Sequence, residues 1–138
     1  MAKKTLSNYL VDTNVVIMAQ KLGKNINEML GIPISFHFFY SVQTRREINN
    51  KKGISSRERQ KYNKLLSTMT EISLDARIGS AAGELLQKYA LRGLHDNRDA
   101  VIAATAFIMN LPLVTYNIKH FRFIDEIRVI YPLDLMIK

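Results

Sequence analysis

Short apolar runs of strand length alternate along this chain with longer stretches of helical period. That alternation is the pattern of a parallel sheet whose strands are joined by helical crossovers. A first strand reads from Thr5 to Asn8 and on through Leu10 to its end at Asp12. The aromatic segment 36–41 is a good buried strand, 71–74 a weak one, and 111–115 and 127–130 complete a sheet of four or five strands. Between them the spacing predicts helices over 14 to about 21, 24–30 and 42–50, with Gly31, Ile32 and Pro33 closing the second. After Gly53, Tyr62, Leu65, Leu66 and Met69 recur at three and four residues, as do Ile78, Ala81, Ala82, Leu85, Leu86 and Tyr89 before a stop near Gly93. Gly79 and Gly83, four apart, read as small residues that let helices pack closely. Residues 99–110 are apolar nearly all round and should form the most buried helix. There is no internal repeat, linker or low-complexity tract, so the 138 residues are expected to form one domain, 1–138, of α/β class.

Two aspartates occupy conspicuous places in this pattern. Asp12 ends the first strand, at the carboxyl edge where open α/β sheets place their ligands, and Asp99 opens the buried helix. Each has a plain structural use. Asp12, Thr13 and Asn14 all suit a helix N-cap, and Asp96 with Asp99 resembles a capping box. Glu47, on the helix after the aromatic strand, would by itself be an ordinary surface acid. Together the three lie on elements that converge at one edge of the sheet. Hard oxygen ligands of this kind suit Mg²⁺ or Mn²⁺, which can activate a water for phosphodiester hydrolysis without a serine or histidine nucleophile.

Composition narrows the chemistry. Twenty basic residues against twelve acidic ones give a net charge of +8, which favours a polyanionic partner. Cysteine is absent, which removes disulfides, thiolate metal sites and thiol nucleophiles together. Ser41 has no histidine at a suitable spacing, His37 reads as a partly buried strand residue, and no glycine-rich phosphate loop is present. Lys3 and Lys4 precede an apolar stretch too short and too interrupted for a signal peptide, and no run approaches the roughly 20 residues of a membrane span. A soluble, cytoplasmic protein without a membrane partner is expected.

The block Leu10-Val11-Asp12-Thr13-Asn14, then Ser41-Val42 with Glu47, then 99–106, then 111–117 and Phe121, resembles the PIN domain family. Within it the chain is most similar to VapC-type toxins, the ribonuclease halves of toxin–antitoxin pairs. The resemblance implies a three-layer α/β/α fold around a parallel sheet and a metal-dependent endoribonuclease. It further implies a homodimer, inhibited by a small antitoxin. Asp12, Glu47 and Asp99 fall on the acidic positions that hold Mg²⁺ or Mn²⁺ and carry catalysis. Thr13, Asn14 and Thr115 fall nearby as hydrogen-bonding support.

At one position the chain departs from the family. Many members carry an acid just before the phenylalanine of the last block, where this chain has His120, with Asn117 three residues earlier. A single metal, or a weak second one, is therefore expected. Asn117 can offer an amide oxygen and Asp96 a carboxylate, while His120 reads as a surface or neighbouring histidine. The departure also admits a non-catalytic reading, an RNA-binding or scaffold protein with a degraded site. Finally, the segment from Arg45 to Lys64 holds six of the eight net positive charges. Arg45, Arg46, Lys51, Lys52, Arg57, Arg59 and Lys61 are expected to rim the acidic pocket and bind RNA, or to bind an acidic antitoxin tail.

Overall fold

The computed structural model describes residues 7–136. Thr5 and Leu6, the start of the predicted first strand, lie outside these residues, as do Lys3 and Lys4.

Five strands form one all-parallel sheet: β1 (Asn8–Val11), β2 (His37–Ser41), β3 (Thr70–Ile72), β4 (Leu113–Val114) and β5 (Val129–Ile130), in the order β3-β2-β1-β4-β5. β1 holds the centre, with Tyr9 opposite Phe38 of β2 and Leu10 opposite Leu113 of β4. Successive residues of a strand face opposite sides, and this splits the interior in two. Leu10 and Leu113 belong to one apolar layer; Tyr9, Val11, Phe38, Tyr40 and Val114 belong to the other. Because both faces are covered, the central strands are apolar throughout rather than alternating. Leu10 and Val11 have no exposure at all, and full burial of such a side chain contributes roughly 1.5–3 kcal/mol.

On the Leu10 face lie α5 (Ala76–Tyr89) and α6 (Asn97–Met109), packed through Ala81 and Ala82 of one and Ala100, Ala103, Ala104 and Ala106 of the other. On the other face lie α1 (Thr13–Leu22), α2 (Ile26–Leu30) and α4 (Ser56–Leu66), contributing Val15, Val16, Ala19, Ile26, Leu30, Tyr62, Leu65 and Leu66. The remaining helices are α3 (Val42–Asn49), α7 (Ile118–Phe121) and α8 (Pro132–Met136). This is the expected three-layer α/β/α arrangement.

The helix ends follow local chemistry. Asn25 and Glu28 make a reciprocal capping box that starts α2 later than its apolar spacing suggests. Asp96 caps α6 through the Arg98 N–H, so that helix begins two residues before Asp99. The short helices α7 and α8 carry too few turns to leave a periodic signal, and the sequence does not reveal them. β4 and β5 are only two residues each, shorter than their apolar runs. Gly79 and Gly83 do not serve close packing, because both are exposed and a Cβ at either would meet nothing within 4 Å. The close contact of α5 is made by its alanines instead. His37 is exposed rather than partly buried, with its Nε2 2.7 Å from Thr70 Oγ1. Among the described residues no helix is long and apolar enough to cross a membrane.

Candidate metal centre

The connection after β1 leads through α1 and α2 to β2 on one side, while β4 returns on the other side of β1 and leads to β5. Strand order therefore reverses between β1 and β4, and their carboxyl ends open a crevice of the kind in which parallel sheets bind ligands. Asp12 follows β1 directly and Thr115 follows β4 directly, with the Asp12 N–H bonded to the Val114 carbonyl at 2.9 Å.

Thr115 organises this crevice. Its buried hydroxyl donates to Asp12 Oδ2 at 2.8 Å and accepts from the Asn117 N–H at 2.9 Å and from Asn14 Nδ2 at 3.3 Å. One donor and two lone pairs are thus all used, so the hydroxyl cannot rotate away. The Thr13 N–H donates to the other Asp12 oxygen at 2.8 Å, and Asn14 Oδ1 accepts from the Tyr116 N–H at 3.3 Å. Asp12 does cap α1, but through the adjacent N–H, and both its oxygens keep a lone pair for another partner. Glu47 reaches the crevice from α3. The hydroxyls of Thr13 and Thr44 meet at 2.9 Å, and Glu47 stands three residues after Thr44 on the same helical face.

Asp12, Thr13, Asn14, Glu47, Asp96, Asp99 and Asn117 line one open pocket of about 250 Å³, together with Ile17, Arg98 and His120. Ile17 and Arg98 carry no sequence signal, and Arg98 could only have been assigned from the direction of its side chain. His120, noted in the sequence as the departure from the family, lines the pocket as a neighbouring histidine. Asp99 does not complete a capping box; its Oδ2 lies 3.3 Å from His120 Nδ1. Asp96 binds Arg98 through both oxygens, at 3.1 and 2.8 Å.

The three candidate ligands share one electrostatic condition. Loss of hydration raises the Asp12 carboxyl above 3.8, and the Asp99 charge adds to this against the bonds from Thr115 and Thr13 and the pull of His120. Burial also raises Glu47 above 4.5, with the Asp12 charge next, and raises Asp99 above 3.8, with the Asp96 charge next. Asp96 goes the other way, held below 3.8 by Arg98. Carboxylates that resist ionisation because they are dehydrated and face one another are stabilised by any cation placed among them. The donors are hard oxygens plus one imidazole, which fits Mg²⁺ or Mn²⁺. Among the described residues no three acid or histidine side chains stand close enough together to hold a metal ion. Asp12, Glu47 and Asp99 border one pocket without converging on a single point.

The predicted basic patch divides. Arg45 is not on the rim: its guanidinium bonds Glu71 at 2.6 Å, the Tyr40 hydroxyl at 2.7 Å and Asn63 at 3.4 Å. Arg46 and Lys51 line a second pocket beside the acidic one. Lys61 lines a third with Lys24, Lys64 and Glu28, on the side of α4 that faces the α1–α2 turn. Lys52, Arg57 and Arg59 are exposed and line none of the three.

Known proteins share this architecture. A chain of the VapBC2 complex from Rickettsia felis, bound to a promoter DNA fragment, is 24% identical, with 90% of this chain and 98% of that chain covered and a TM-score of 0.76. A chain of a toxin–antitoxin complex from Klebsiella pneumoniae is 28% identical, covering 90% and 97%, with a TM-score of 0.67. A chain of DNA-bound VapBC from Salmonella typhimurium is 23% identical, covering 92% and 99%, with a TM-score of 0.78. No curated protein matches the chain at a significant level. The family model for the PIN domain matches residues 9–126, from the central strand to beyond the last loop of the site, and the chain belongs to the PIN domain family.

Proposed function

We propose that the protein is a Mg²⁺- or Mn²⁺-dependent endoribonuclease, the toxin of a toxin–antitoxin pair, with Asp12, Glu47 and Asp99 as the metal ligands. At the coarser level, PIN domains of VapC toxins are nucleases, so a hydrolase is the family's activity. The observation that carries the finer reading is that three acids of raised pKa line one pocket at the strand-order reversal. When bound, a divalent ion supplies a water of lowered pKa and polarises the scissile phosphodiester. The chain's own residues prepare that chemistry. Thr115 and Thr13 hold the Asp12 carboxylate in one orientation, Thr44 supports Thr13, and Asn14 ties the β1 and β4 loops together. Arg98, at the pocket's edge, offsets the negative charge of Glu47 and Asp99.

The partner reading follows from the relatives. The Klebsiella complex is named a toxin–antitoxin complex, and an antitoxin that covers this crevice would keep RNA from it. A homodimer, a single domain over 1–138 and a cytoplasmic location belong to the same proposal. The test is cleavage of total RNA by the purified protein with Mg²⁺, Mn²⁺ or EDTA, alongside Asp12→Asn and Asp99→Asn. Each substitution should lower cleavage by about a thousandfold or more, since each removes a charge on which the ion depends. Both proteins should still unfold cooperatively. Full activity in either variant overturns the assignment of these acids as ligands, cleavage that survives EDTA overturns the metal dependence, and no cleavage with either metal leaves a non-catalytic RNA-binding role.

A further inference from the structure

The acidic pocket does not stand alone. A second pocket of about 410 Å³ is lined by Thr13, Ile17, Glu47 and Arg98, all four of which also line the first, and continues outward past Gln43, Arg46, Ile48, Asn50 and Lys51. The shared wall is therefore a carboxylate and a guanidinium, with acids on one side and cations on the other. The cations are differently committed. Arg46 is exposed, and among the described residues no hydrogen bond or ion pair holds its side chain. Lys51 sits 3.5 Å from Glu58, an exposed pair that contributes little and yields readily to a stronger anion. Arg98 is anchored by Asp96 at the boundary.

From this we infer that the pocket bounded by Arg46, Lys51 and Arg98 binds the phosphodiester next to the one that is cut, making it a backbone subsite for single-stranded RNA. This rests on the nuclease reading and adds to it which cations touch the substrate and what they recognise. A strand whose scissile phosphate lies at Asp12 and Asp99 must place a neighbouring phosphate within one nucleotide. The cationic pocket adjoins the acids directly, whereas the Lys24–Lys61–Lys64 pocket shares no residue with them. Guanidinium and ammonium groups suit phosphate oxygens, and such contacts fix the register of the strand without reading its bases. Arg46 and Lys51 are thus positioning residues for the substrate. The basic wall also offsets the repulsion between a polyanionic strand and the acids.

The test uses a short single-stranded RNA spanning one cut site mapped on total RNA, with each phosphodiester flanking the cut replaced in turn by a neutral methylphosphonate. In the wild-type protein, replacement at one neighbouring position should lower kcat/KM by about tenfold, the usual loss for a charge-assisted contact. Arg46→Gln should lower kcat/KM by a similar factor on the unmodified RNA, mainly through KM, and the same methylphosphonate should then cause no further loss. Lys51→Gln should behave alike. If the two losses multiply, or if Arg46→Gln and Lys51→Gln cut like the wild type, the subsite is overturned while the nuclease reading stands. Unchanged cleavage combined with weaker inhibition by a co-expressed antitoxin would likewise overturn it, and make this wall a protein-binding face. Wild-type protein that cuts no RNA with either metal overturns both.

Discussion

Asp12 shows how one residue can serve fold and site at once. Its carboxylate caps α1 and receives the Thr115 hydroxyl, yet it remains dehydrated and faces Asp99. The pH dependence of stability follows. Between the ordinary values of 3.8 and 4.5 and the raised values in the folded chain, Asp12, Glu47 and Asp99 hold more protons folded than unfolded. Unfolding then releases protons, so stability should fall as pH rises through that interval. At lower pH the sign reverses, because Asp75, Asp96 and Glu126 have depressed values and their contribution is lost as they protonate. Urea unfolding of the metal-free protein should therefore give greatest stability near the ordinary carboxylate range, and saturating Mn²⁺ should flatten the decline above it. A steady rise through the interval would contradict the charge repulsion assigned to this pocket. His120 invites a second measurement. His120→Asp adds a carboxylate to the pocket and should tighten Mg²⁺ binding by about tenfold in calorimetry, since affinity follows ligand charge. The metal-free melting temperature should drop at the same time, because a further carboxylate joins those already repelling.

Among the elements, α5 and α6 illustrate how small residues can have opposite uses. The alanines of α6 are almost fully buried and let α5 approach, while Gly79 and Gly83 of α5 face outward into open space. Neither glycine has a positive φ, so both are ordinary helical residues without a side chain. Gly79→Ala and Gly83→Ala should each stabilise the protein by roughly 0.5–1 kcal/mol, by removing unfolded-chain entropy and raising helix propensity. Chemical denaturation should show a higher midpoint at unchanged slope, with cleavage unaffected. Loss of stability in both variants would mean that this face is covered by something the isolated chain does not show. The pair β1 and β4 makes a complementary point. Each ends in a polar residue, and the hydrogen bond between Asp12 and Thr115 joins residues 103 positions apart in sequence. That bond fixes the mouth of the crevice more firmly than either loop could alone.

For the whole molecule, the charge distribution decides what approaches and where. A net charge of +8 attracts any polyanion, but only part of the basic segment borders the acids. Arg45 is consumed in an internal network with Glu71 and Tyr40, and Lys61 belongs to another surface. Binding of a single-stranded RNA to the inactive Asp99→Asn protein, followed by fluorescence anisotropy from about 50 to about 200 mM salt, should weaken with a log–log slope of at least ~0.7. That value corresponds to the one phosphate held by Arg46, Lys51 and Arg98 together. A slope near zero would remove the electrostatic basis for RNA as the partner.

Periodicity and apolar composition were enough to determine the α/β class, the buried strands and the capped helices, because these depend on local spacing and on which side chains leave water. The acids could be singled out for the same reason: each ends a strand or sits in the opening turns of a helix, which a linear pattern displays. That their elements share one edge of the sheet was legible too, but the geometry of the pocket they line was not. It depends on β4 returning beside β1 rather than beside β3, and on Thr115 reaching Asp12 across that junction. The fates of Arg45, Arg98 and the two helical glycines were equally hidden. A charged or small residue reads the same in sequence whichever way its Cα–Cβ bond points, and only packing of the layers chooses between a pocket, an ion pair and open solvent.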